Sequence, residues 1–221
     1  MPQAEPSRSH LSRERVLETA VAFADEHGLD ALSMRKLGQE LGVSAMSAYY
    51  YFANKEQLLD GMVDVVFGEI EPPALDVDWK TAMRDRAIST RAALNRHRWA
   101  IGHMEGSADH GPANLRLHDA VLGCLRAAGF SLAATVHAYS VQDAYIYGFV
   151  LQESDMSPTT AEDFAAEAQR QMEAYKEMLA DHPHLAEVVG GHVAKVGYDY
   201  ATEFLFGLDL ILDGLDRLRD A

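Results

Sequence analysis

Two short helical patterns separated only by a glycine-bearing turn constrain this chain more than any other feature. From Leu32 to Met62 it reads LSMRKLGQELGVSAMSAYYYFANKEQLLDGM. Ser33 is placed to cap the first of these helices, with Leu32 stapling onto Leu37 and Gly42 ending it after Leu41. Ser44 is placed to cap the second, flanked by Val43 and Ala48 in the same staple relation, and that helix fades near Phe52. A glycine-containing turn of about three to four residues makes two such helices cross steeply, the helix-turn-helix arrangement that offers its second helix to a DNA groove.

The punctuation extends on both sides of this pair. Ser12 heads a helix whose stripe Val16, Leu17, Ala20, Val21 and Ala24 stops at Gly28, with Leu11 positioned to staple onto Val16. Asn54 and Gln57 make a capping box for a fourth helix, which Glu71-Pro72-Pro73 stops. Downstream the spacing predicts helices over about 79–97, 99–105, 112–128 and 131–153. A charged helix from Thr160 to Ala180, capped by Thr160 and Asp163, follows, then a turn around DHPHLAEVV. The last helix, roughly 194–218, carries Tyr200, Phe204, Leu208, Ile211, Leu215 and Leu218 at steps of three and four. Strand-like alternation is nearly absent, so the fold class is all-α. The expected division is a disordered arm over 1–9, a helix-turn-helix domain over 10–55, a connecting helix over 56–71 and a larger helical body over 72–221.

Composition admits this reading and removes others. Hydrophobic residues at 48% and charged residues at 24% are globular values, so the chain can bury a core. Cys124 is the only cysteine, no apolar run approaches the length of a membrane span, and the opening MPQAEPSRSH lacks a secretory apolar stretch. A cytoplasmic location with no membrane partner is expected. The net charge of −15 argues at face value against nucleic acid. It is unevenly divided, however. Residues 1–55 hold six Lys or Arg against seven acids, a balance of −1 that leaves −14 for the remainder. Exposed charges are screened beyond about 8 Å at physiological salt, so a nearly neutral module with grouped cations can still meet phosphates.

Rotation about the third helix separates its side chains by role. At about 100° per residue, with Ala48 taken as inward, Phe52, Ala45 and Ser44 fall within about 60° of it and Met46 and Tyr50 point away. Ser47 and Tyr49 flank the outer face, and Tyr51 leans inward. Three consecutive tyrosines span about 200°, more than one neighbour can bury, so the outer face asks for a partner. A methionine can touch thymine methyls and hydroxyls can meet base edges or phosphate oxygens in a major groove about 12 Å wide. Arg35 and Lys55, at the starts of the second and fourth helices, would clamp phosphates on either side.

With the GVS turn, the YYYF run and the NKEQLL opening of the fourth helix in register, the stretch resembles the DNA-binding signature of the TetR family of bacterial transcriptional regulators. The resemblance implies a homodimer that binds a palindromic operator, most often as a repressor, and is released by a small effector. It carries Arg35, Ala45, Met46, Ser47, Tyr49, Tyr50, Tyr51 and Lys55 onto positions that touch operator DNA. The tetracycline-repressor subclass has glutamine, proline and threonine where this chain has Ala45, Met46 and Ser47, so the docking mode carries over and the operator sequence does not. AGFSLAATVHAYSVQDAYIYGFVLQES is similar to the long eighth helix of that subclass, which implies its effector-binding and dimerisation domain. The dimer is then expected to form through the helix that begins at Ser131 and the last helix.

Trp99, His103, Met104, His118, Leu122, His137, Gln142, Tyr145 and Phe149 are the candidate effector-lining residues, an apolar and aromatic set with a few polar groups that suits a largely hydrophobic or planar molecule. No cofactor or metal is expected. His103, Glu105, Asp109 and His110 have ligand chemistry, but the paired-histidine spacing of a metal site is missing. An enzyme reading finds no nucleophile, phosphate loop or ligand motif behind it. A helical protein-interaction module without DNA binding is the competing reading, and less readily a metal-dependent enzyme.

Overall fold

The computed structural model describes residues 11–104, 111–154, 181–193 and 199–219. The N-terminal arm, the loop with Glu105, Asp109 and His110, and the expected helix from Thr160 to Ala180 lie outside them. Among the described residues there is no strand, so the all-α expectation holds.

The first four helices are α1 (Arg13–His27), α2 (Met34–Glu40), α3 (Ala45–Tyr49) and α4 (Lys55–Gly68). Each opens on the cap the sequence offers. Ser12, Ser33, Ser44 and Asn54 accept from the backbone N–H three residues on, satisfying amides that no helical carbonyl reaches. The Oε1 of Gln57 in turn accepts from the Ala53 N–H at 3.1 Å, one residue before the cap. Gly42 takes φ +67, the left-handed turn that swings the chain from α2 into α3. Gly38 makes the tight crossing possible, because a Cβ there would lie 3.0 Å from the Ala45 nitrogen and 3.1 Å from the Val43 carbonyl oxygen. These helices share one core, in which Val16, Leu37, Ala48, Phe52, Leu58 and Met62 are essentially sealed. We call this the reading head.

Beyond it run α5 (Trp79–Arg96), a 3-10 turn (Arg98–His103), α6 (Pro112–Ala127) and α7 (Leu132–Ser154). Asp78 caps α5, accepting from the Lys80 and Thr81 amides, and Trp79 meets Phe130 edge-on at 4.9 Å. The expected turn after residue 181 is instead a helix, α8 (Pro183–Val188), continued by a wider turn over Val189–Val193. Pro183 explains this, since its fixed φ suits a first helical position and its missing N–H costs nothing there. The last helix is α9 (Tyr200–Arg219), with Phe204, Leu208, Leu212 and Leu215 buried. The chain divides into two compact units, Met1–Ser140 and Val141–Ala221, so the reading head shares its unit with α5, α6 and the first part of α7. No described helix is long and apolar enough to cross a membrane.

Candidate nucleic-acid interface and effector residues

The outer face of α3 is open. Met46 is 76% and Tyr50 84% exposed, Tyr49 is 44% exposed and Ser47 is half-buried, whereas Ala48 and Phe52 are buried. Three adjacent tyrosines thus meet three different fates. Tyr51 turns inward and its hydroxyl donates to the Leu11 carbonyl at 2.5 Å, tying the segment before α1 to the end of the reading helix. Tyr50 stands edge-on to Tyr51, ring centroids 5.1 Å apart, and so is braced while its own hydroxyl faces outward. Ala45 is half-buried as expected from the helical rotation. Ser44 departs from that rotation and is exposed, because as a cap its backbone is extended rather than helical (φ −71, ψ 151). Its Oγ serves the Ser47 N–H at 3.3 Å and meets the Ser47 Oγ at 3.0 Å.

Arg35 and Lys36 stand exposed in the first turn of α2, and Lys55 opens α4. The Lys36 ammonium lies 5.8 Å from the Phe23 ring centre, and that of Lys55 is within 3.4 Å of the Leu29 carbonyl oxygen. Both long side chains rest on the head and keep their charge in solvent.

The candidate effector residues separate into groups. Trp99 and His103 line an open cleft of about 630 Å³ whose other wall is Ala24, Asp25, Gly28 and Leu29. Trp99 also packs on the head core and donates its indole N–H to Asp25 at 2.7 Å. Met104 is buried, and Leu122 and His137 stand exposed on their helices. His118 is half-buried, 6.0 Å from the Phe67 ring and 5.2 Å from Tyr139. Its Nδ1 donates to the Asn114 carbonyl at 3.0 Å, and its Nε2 is hydrogen-bonded with the Tyr139 hydroxyl.

In the second unit, Tyr145 stacks on Phe204 at 5.6 Å, and Phe149 meets Phe204 at 5.2 Å and Tyr200 at 5.9 Å. The Tyr145 hydroxyl donates to the Phe204 carbonyl at 2.9 Å. Gln142, on the same helix as Tyr145 and Phe149, is fully buried at 0% exposure, yet among the described residues neither its Oε1 nor its Nε2 has a hydrogen-bond partner. A buried amide left unmatched on both atoms costs on the order of 1–3 kcal/mol per group, which a bound polar edge would relieve. Val141 and Leu151 on α7, and Phe206 and Leu210 one turn apart on α9, expose large apolar surface.

Four functional side chains escape sequence reasoning. Asp64 of α4 accepts from the Ala113 and Asn114 amides at the start of α6, each at 2.9 Å. His97 joins Asp25 of α1 to Glu69 at the end of α4. Partial burial pushes the Glu69 carboxyl up, but Arg96 and His97 beside it more than offset that and hold it below the ordinary carboxylate value. No local pattern announces these contacts, since the partners are 27 to 72 residues apart in sequence. Among the described residues no three His, Cys, Asp or Glu converge as a metal would need.

Comparison with known proteins gives these features a family. Residues 16–62 match the bacterial regulatory proteins of the tetR family, and residues 72–219 match the tetracyclin repressor-like C-terminal domain. The HTH-type transcriptional repressor DrrR1 of Streptomyces coeruleorubidus is 33% identical, over 94% of this chain and 78% of that protein. The class C tetracycline repressor protein of Escherichia coli is 28% identical, over 95% and 92%. Among solved structures, the Streptomyces coelicolor TetR family protein ActR in complex with actinorhodin superposes with a TM-score of 0.76 at 26% identity, covering 94% of this chain and 97% of that one.

Proposed function

The chain belongs to the TetR family of bacterial transcriptional regulators, and from that membership we propose how its own residues carry the function. It is a sequence-specific DNA-binding regulator that works as a homodimer on a palindromic operator and is released by a small effector. The carrying observation is that Met46 and Tyr50 project from a short, serine-capped helix whose other side is sealed. We assign base reading to Met46, Ser47, Tyr49 and Tyr50, and close backbone approach to Ala45. Arg35 and Lys55 hold phosphates on either side of the groove, and Tyr51 sets the pose of the reading helix from within. Family members are regulators rather than enzymes, and we assign no catalytic step to this chain. The dimer contact falls to the exposed apolar residues of α7 and α9, in keeping with a bundle across a two-fold axis.

For the effector, the aromatic group of Tyr145 and Phe149 beside an unmatched Gln142 amide supports a planar, largely hydrophobic molecule. Such a molecule would present a paired donor and acceptor edge to Gln142. ActR, a structural neighbour, is solved with actinorhodin, and curated relatives are named tetracycline repressors. Those names set the screen. Tetracycline with magnesium, minocycline and actinorhodin are the first compounds for thermal shift, where a ligand of the folded state raises the melting point.

The decisive experiment is a mobility shift on duplex selected by the chain from a randomised library, with and without a compound that raises the melting point. Affinity is expected to fall by about 5- to 150-fold with compound bound. Tyr50→Ala should weaken selected duplex far more than random duplex. Lys55→Ala should weaken both alike and reduce the salt slope by about one unit. Equal losses on every duplex for both variants would overturn the assignment of roles, and failure to select any duplex would overturn DNA binding itself.

A further inference from the structure

One turn of chain, Arg96 to Trp99, ties two helices of the reading head to the end of α5, beside the separate tie of Asp64 to α6. His97 ends α5, its own N–H donating to the Ala93 carbonyl at 3.0 Å, and its ring is 6% exposed. Nδ1 lies 2.9 and 3.0 Å from the two carboxylate oxygens of Asp25, near the end of α1. Nε2 lies 3.0 Å from Glu69 Oε2, just past the end of α4. Each ring nitrogen therefore lies within hydrogen-bond distance of a carboxylate oxygen, one from α1 and one from the end of α4. The neighbours on either side reinforce the same two carboxylates. Arg96 donates to Glu69 Oε2 from Nη2 at 2.7 Å and from Nε at 3.2 Å, and Trp99 donates to Asp25 Oδ1.

We infer that His97 is the positioning residue that fixes the angle of the reading head, clasping α1 and α4 to the end of α5 so that both heads of a dimer present their α3 helices at one spacing. The inference rests on the DNA-binding reading above and names the residues through which it is regulated. Hydrogen bonds to two different helices set an angle that apolar packing alone would leave loose, because hydrogen bonds weaken steeply when misaligned. The open cleft of about 630 Å³ between the α1 end and the Asn95–His103 segment leaves the head room to swing once the clasp lets go. On the walls of that cleft, Asp25 is bonded to His97 and Trp99, and Arg96 to Glu69.

The test reads head spacing directly. Glu40→Cys places one label on each exposed α2, in a Cys124→Ser background that removes the only native cysteine. Pulsed electron spin resonance on the full-length dimer should give one narrow inter-label distance. His97→Gln should broaden it and weaken binding to the selected duplex at least five-fold while helix content is retained. His97→Arg, which places a forked donor between the carboxylates, should narrow the distribution again. Asp25→Asn keeps the Glu69 contact and provides the same readout should the His97 variants fold poorly. An unchanged narrow distance in folded His97→Gln or Asp25→Asn would overturn the clasp. A broadened distance with unchanged duplex affinity would overturn its role in regulation. A parent chain that selects no duplex would sink the DNA-binding reading, while the distance measurement still decides the clasp.

Discussion

Gly111→Ala is expected to damage a helix it does not belong to. Gly111 adopts φ −69 and ψ 166, a conformation open to any residue, so an alanine there carries no backbone strain. Its Cβ, however, would fall 2.1 Å from Cγ and 2.3 Å from Oδ1 of Asp64, which must then leave. Asp64 is the cap of α6. Pro112 at the first helical position has no N–H to satisfy, and the next two amides, Ala113 and Asn114, both donate to Asp64 Oδ1 at 2.9 Å. Losing such a cap costs about 1 kcal/mol, within a range of roughly 0.5 to 2. Asp64→Ala removes the same bonds from the other side. The double variant should therefore cost about 1 kcal/mol and not the ~2 kcal/mol of independent sites, a coupling of about 1 kcal/mol. Thermal unfolding at fixed protein concentration reads this as roughly 2–4 °C for each single variant and the same for the pair. Additive losses, or a neutral Gly111→Ala, would refute the claim that α4 caps α6 through this carboxylate.

Tyr51→Phe removes the bond to the Leu11 carbonyl and should destabilise the fold by about 1 kcal/mol in urea titration, whereas Tyr50→Phe, at a side chain 84% exposed, should leave stability within about 0.5 kcal/mol. The Glu69 carboxyl sits below its ordinary value in the fold, so its stabilising share is fully present above the unfolded value and is lost as pH falls through the lowered one. An acid titration followed by circular dichroism should therefore show a shallower loss of stability below about pH 4.5 in Glu69→Gln than in the parent. Burial pushes the Cys124 thiol up from its ordinary value, so alkylation by iodoacetamide at pH 8 should be slow in the native protein and fast in urea. Equal rates in the two conditions would contradict its placement.

Local chemistry was legible in the sequence to the residue. Ser12, Ser33, Ser44 and Asn54 cap the helices predicted from them, because a cap and the amide it serves are three residues apart and both can be read from one window. The inward turn of Ala48 and Phe52 and the outward turn of Met46 and Tyr50 follow from helical rotation alone. Ser44 broke that rotation because a cap residue is not yet helical. Trp99 stands out in the sequence by its aromatic character, and the bond from its indole N–H to Asp25 at the edge of the head is a contact no local pattern announces. The clasp at His97 was illegible for a plain reason. Asp25 and His97 are 72 positions apart, and nothing local distinguishes a buried bridging histidine from an exposed one at the end of a predicted helix.

The connecting helix shows how adhesion and register are divided between two kinds of force. The early turns of α4 bury Leu58 and Met62 in the head core, and its later turns bury Val63, Val66 and Phe67. Each such side chain contributes on the order of 1.5–3 kcal/mol, several times more in total than the polar contacts of the same helix. That attraction is non-directional, so it tolerates a slide of the helix along its neighbours with little change. The polar contacts tolerate no such slide. Asp64 must keep two amides at 2.9 Å and Glu69 must keep His97 at 3.0 Å, and a displacement of one bond length loses both. Apolar burial thus keeps α4 attached in every position it can occupy, and the two carboxylates choose which position that is. A displacement of the start of α6 would therefore act first on the Asp64 bonds, and could re-aim the reading head without unfolding any of the cores it leaves behind.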